Sequence, residues 1–78
     1  MQKSISLDLL EVGERATIQQ LDPSALPSKF YEMGLLPGAV VEIRHKAPFQ
    51  GPIGIEILRS NLLIAIRRSE AVHIAVEK

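Results

Sequence analysis

Residues 40–66 read VVEIRHKAPFQGPIGIEILRSNLLIAI, and their periodicity decides the fold. Val41, Ile43 and His45 alternate with Glu42, Arg44 and Lys46, which predicts a half-buried strand across about 39–46, with His45 at the rim. Ile53, Ile55 and Ile57 alternate with Gly54, Glu56 and Leu58, predicting a second strand near 53–59. Ser60-Asn61 is a short polar break suited to a tight hairpin turn. Leu62 to Arg67 then makes a third strand. Its opening residues are apolar on both faces, which predicts a central position.

The same period extends outward. Ala16, Ile18 and Gln20 against Thr17, Gln19 and Leu21 predict an earlier strand near 14–20, introduced by a turn at Val12-Gly13-Glu14. Val72, Ile74 and Val76 alternate with His73, Ala75 and Glu77 as a closing strand. The chain holds nine Ile and five Val, stiff side chains that pack well on a pleated surface. One stretch departs from the pattern: Leu26, Phe30 and Met33 fall on a helical face. Pro27 is tolerated only in a first turn, and Gly34 suits a left-handed ending, so a short helix is expected over about 27–33. Pro37-Gly38 is set for a type II turn into the next strand. Five or six short antiparallel strands with one short α-helix describe a mainly β chain. A small closed barrel fits best, since closure removes exposed edges. The alternative is an open antiparallel sheet with the helix on one face.

Length and charge narrow the rest. The 78 residues make a single domain, 1–78, with a thin core. No Cys is present, which removes disulfides and thiolate metal sites and fits a reducing, cytoplasmic compartment. Nine basic residues balance nine acidic ones, so the pull toward nucleic acid is absent. The balance hides a tilt: residues 1–32 hold three basic and five acidic residues, and residues 33–78 hold six and four. The longest apolar run, Leu62 to Ile66, is far below the roughly 20 residues of a membrane span. Met1 to Ser6 lacks the apolar stretch of a secretory leader.

Little chemistry emerges. His45 and His73 are the only histidines, and a closed metal site needs three or four convergent ligands, so no metal and no cofactor is expected. Ser69 lies between Arg68 and Glu70 without a recognisable nucleophile–base arrangement, and no phosphate-cradling glycine loop occurs. The chain is not expected to be an enzyme. Arg44, Lys46, Arg59, Arg67 and Arg68 could share one side, but Glu42, Glu56 and Glu70 interleave with them as on a solvated face. Stacking aromatics are too few for nucleic-acid binding. The loop Ala47-Pro48-Phe49-Gln50-Gly51-Pro52 is stiff and carries a ring. Either Phe49 projects as a partner anchor or it folds back to seal the barrel end.

Leu7 to Ile18, Lys29 to Gly38, Ala47 to Ile53 and Ile66 to Val76 are four segments that together resemble the FeoA family. Lys29-Phe30-Tyr31-Glu32-Met33-Gly34-Leu35-Leu36-Pro37-Gly38 resembles the family's helix ending in a Leu/Met-Gly-Leu-x-Pro-Gly turn. Ala47 to Ile53 resembles its Ala-Pro-Phe-Gly-Asp-Pro-Ile hairpin, and Ile66 to Val76 its Leu-Arg-x-x-Glu-Ala-x-x-Ile-x-Val ending. Leu7 to Ile18 matches the opening Leu-x-x-Leu-x-x-Gly-x-x-x-x-Ile. Lys29 stands where Arg is usual, and Gln50-Gly51 where Gly-Asp is common. Lys does not reproduce a bidentate guanidinium.

The resemblance implies an SH3-like β-barrel with a short helix. It implies a small cytoplasmic component of bacterial ferrous iron transport that contacts FeoB, a membrane transporter with a cytoplasmic GTPase domain. On that reading a contact surface is expected near Met33, Leu35, Phe49, Arg67 and Arg68, combining an exposed apolar tip and turn with fixed charges. Arg67 or Arg68 acting as an arginine finger competes with simple pairing to Glu70. No nucleic acid and no membrane insertion are expected, and a homo-oligomer is allowed. Two other readings are an SH3-like interaction domain of the kind fused to iron-dependent repressors and a generic peptide-binding SH3 module. The second is disfavoured because proline-recognition grooves are lined by several aromatics.

Overall fold

The computed structural model describes residues 4–78. The reading of the first residues as lacking a leader falls partly on residues 1–3, outside the described residues. The chain forms β1 (Ile5–Ser6), a 3-10 turn (Leu7–Leu9), β2 (Arg15–Leu21), α1 (Ser28–Glu32), β3 (Val40–Lys46), β4 (Ile53–Ile57), β5 (Leu62–Ile66), α2 (Arg68–Ala71) and β6 (Ile74–Glu77). The strands make one antiparallel sheet in the order β1-β6-β2-β3-β4-β5. Inward residues alternate as the sequence demands: β4 buries Ile53, Ile55 and Ile57 while Gly54 and Glu56 face out. One continuous core joins the strands to Leu7 and Leu10, to Leu26, Phe30 and Leu35, and to Ala71. The mainly β, SH3-like expectation holds, but the expected closure by strand pairing does not: among the described residues β1 and β5 end the sheet without pairing to each other.

Four local expectations are corrected. The third strand is not central: β5 pairs with β4 alone and ends the sheet. Its unbroken apolarity reflects exposure on the outer face, where Leu63 is 67% exposed. His45 leaves the inward alternation because the β3–β4 register shifts between Ile43 and His45, a bulge that turns it to solvent. The closing strand starts at Ile74. Residues 68–71 form α2 instead, with Glu70 in its first turn accepting a hydrogen bond from the Arg67 amide at 3.0 Å. The β4–β5 turn takes four residues, 58–61, with Asn61 at φ 57.

Helix α1 is held by its ending. Pro27 is the extended residue before it, so its ring meets no helical carbonyl. Gly34, at φ 99, donates to Tyr31 O at 3.0 Å, and Leu35 donates to Phe30 O at 3.0 Å. These two bonds are a Schellman ending, and its usual apolar contact is supplied by buried Phe30 and Leu35. Leu36-Pro37-Gly38-Ala39 then turns as expected, with the Ala39 amide on Leu36 O at 3.0 Å and Gly38 at φ 93.

Candidate functional site

The β3–β4 hairpin decides where an exposed aromatic sits. Ala47 N–H donates to Pro52 O at 3.0 Å, and Gly51 N–H donates to Pro48 O at 3.1 Å. Between them Phe49 and Gln50 have φ of 57 and 59. Two successive positive φ values are the pattern of a type I′ turn, which normally selects Asn-Gly. Bulky side chains rarely sit there, at a cost of about 1–2 kcal/mol per residue. The strained turn presents Phe49 outward, and the residue is 99% exposed. Of the two readings of this loop, the ring projects.

The expected contact residues do not form one patch. Lys46, Ile53 and Ile66 lie side by side in the ladders, so the Phe49 loop and the Arg67-Arg68 pair share one end of the sheet. Val41, Ile57 and Leu62 mark the other end. Met33 lies there, 40% exposed, in a groove of about 740 Å³ lined also by Leu36, Val40, Ile57, Leu58 and Arg59. Leu35 is corrected to the core: it is fully buried against Phe30 and offers no surface. The groove residues Leu36, Val40 and Leu58 went unread in the sequence. The Pro-Gly turn after Leu36 was the available signal, since a tight reversal turns one of its flanking side chains away from the core.

The cations divide as well. Arg44 bonds Glu56 at 2.8 Å and lies 3.5 Å from Glu42, which also takes Arg15 at 2.8 Å. This is the interleaved outer face expected from the sequence. Arg59, Arg67 and Arg68 form no ion pair among the described residues. Glu70 spends its carboxylate on the Arg67 amide rather than on a guanidinium, and Arg68 Nε is buried without a hydrogen-bond partner.

His45 and His73 are not brought together. His73 Nδ1 sits 3.8 Å from Asp22 Oδ2, beside a second cleft of about 490 Å³ along β1, β2 and β6. Asp22 is held below the usual carboxylate range, first by the Ser24 hydroxyl and amide and then by His73. Among the described residues no three His, Cys, Asp or Glu converge as metal ligands. No helix among them is long and apolar enough to cross a membrane.

The family model for the FeoA domain matches residues 5–78. The chain belongs to the FeoA family. The family is linked to ferrous iron transport. A FeoA-like protein from Clostridium acetobutylicum is 31% identical, with 99% of this chain and 88% of that one covered at a TM-score of 0.83. The iron(II) transport protein A from Clostridium thermocellum is 34% identical, with 94% of this chain and 44% of that one covered at a TM-score of 0.79. A manganese-dependent transcriptional repressor matches the whole FeoA chain over 43% of its own length, at a TM-score of 0.83 and 18% identity. That last likeness is one of fold. No curated protein sequence matches the chain.

Proposed function

We propose that this FeoA chain is a cytoplasmic accessory protein of ferrous iron transport that acts by contact with the FeoB transporter and its GTPase region, not by catalysis. The observation that carries the reading is Phe49, fully exposed on a hairpin tip whose backbone is strained to present it. Strain of this kind persists where the surrounding structure enforces it and clusters at binding sites. A rigid projecting aromatic with guanidinium groups at the same end has the make-up of an interface anchor. To regulate, the contact must favour one state of the transporter over another, so binding must differ between nucleotide states.

The test is a pull-down of the full chain against the FeoB cytoplasmic region and against full-length FeoB, each with GDP and with a non-hydrolysable GTP analogue. Binding that differs between states and weakens in Phe49→Ala is expected. Because Phe49 packs on nothing, its far-UV spectrum and melting temperature stay unchanged. No binding in any state would overturn the proposal.

A further inference from the structure

Strand β5 leaves one side of its backbone unused. Its ladder partner is β4, and no other backbone hydrogen bond reaches residues 62–66 among the described residues. Such an edge is a template for one more strand, and proteins normally blunt it with Lys, Pro or a bulge. Leu62-Leu63-Ile64-Ala65-Ile66 carries none of these and pairs with β4 without a register shift. Leu62 and Leu63 are 38% and 67% exposed.

The two ends of this apolar edge are marked by charge. Arg59 precedes it in the turn and Arg67 follows it directly; both are exposed and lack an ion pair among the described residues. The nearby acids are committed elsewhere, Glu56 to Arg44 and Glu70 to the Arg67 amide. We propose that β5 is a docking edge for an extended segment of another protein, apolar at its centre and acidic at both ends, which adds a seventh strand. At ~3.4 Å per residue the edge is roughly 17 Å long, so the acidic positions bracket about five to seven residues.

A second copy of the chain fits less well. Antiparallel pairing sets inward residues opposite inward residues, and full overlap of Leu62–Ile66 with its copy centres the two strands on Ile64. Arg67 of one copy then lies opposite Asn61 of the other, two residues from Arg59. Like charges meet at both ends, whereas a segment with acidic ends meets opposite charge at both. The inference does not depend on which protein the chain regulates.

The test is an amide-resolved NMR titration of the full chain with the peptide acetyl-Glu-Glu-Val-Thr-Ile-Thr-Val-Glu-Glu-amide. Shifts and slowed amide exchange concentrated at residues 62–66 are expected. The same peptide with Lys for Glu is expected to bind about tenfold more weakly, since two cationic ends turn from attractive to repulsive. N-methylation of alternate backbone amides keeps the charge and removes the donors, so it is expected to abolish binding. A paired Arg59→Glu and Arg67→Glu variant, at exposed positions, is expected to reverse the preference. Equal affinity for both charged peptides, or undiminished binding of the N-methylated one, would overturn the proposal. Protection of residues 62–66 by self-association without peptide would overturn it in favour of a second copy.

Discussion

The amide of Gly51 donates to the carbonyl of Pro48 at 3.1 Å, closing a turn whose inner residues both have positive φ although neither is glycine. Gln50→Gly is therefore expected to stabilise the chain by about 0.5–1 kcal/mol, as the left-handed penalty outweighs the added chain entropy of glycine. Urea unfolding monitored by far-UV circular dichroism reads this as a raised midpoint with an unchanged slope. An unaltered or lowered midpoint would show that the turn is not strained.

Leu35 and Met33 flank the same glycine and should behave oppositely. Leu35 is fully buried as the apolar partner of Phe30, so Leu35→Ala is expected to cost about 2–5 kcal/mol. A domain of this size has about 4–12 kcal/mol in total, so the variant approaches global unfolding. Met33→Ala, at a 40% exposed site, is expected to cost less than about 1 kcal/mol. Comparable losses in the two variants would contradict the placement of Leu35 in the core.

Acid should weaken the fold through two surface carboxylates. Glu14 is held below the usual range by the Glu11 amide first and the Lys78 ammonium next, and Asp22 by Ser24 and then His73. A depressed folded pKa means that the unfolded chain takes up protons first as pH falls. The stabilisation is complete above the unfolded values, near pH 4, and is lost as pH drops through the folded ones. Melting temperatures measured from pH 7 to pH 3 are expected to fall below about pH 4, and less steeply in Glu14→Gln and Asp22→Asn. Parallel curves for all three proteins would refute this.

Glu42 sits between Arg15 and Arg44 with only 16% of its side chain exposed. Glu42→Gln removes the negative centre from a cluster of two cations and is expected to cost about 1 kcal/mol. Added salt should narrow the gap between the variant and the parent chain, because screening weakens what the parent gains. Thermal melts at low and high ionic strength check both points.

Much of the architecture was legible because alternation reports which face is wet. The strands at β2, β3 and β4 and the endings at Gly34 and Gly38 follow from side-chain period and turn chemistry alone. Alternation does not report strand neighbours, which is why an apolar run at Leu62–Ile66 read as central and proved to be an edge. The bulge after Ile43 is likewise invisible to a fixed period of two, and it moved His45. Helix α2 is too short for a helical period, although Glu70, three residues after Arg67, carried a capping signal. The sequence placed Phe49 on a rigid loop but left its direction open. The 99% exposure of Phe49 settles that direction, and register divides the expected contact residues between two ends.

No polar or charged residue is fully buried among the described residues. Interior histidines, carboxylates or hydroxyls are what let a fold sense protons, metals or phosphate by rearranging from within. The apolar interior of the described residues, Phe30 included, holds no such group. Any response of these residues to protons or ions therefore starts at the surface, where the charged side chains lie.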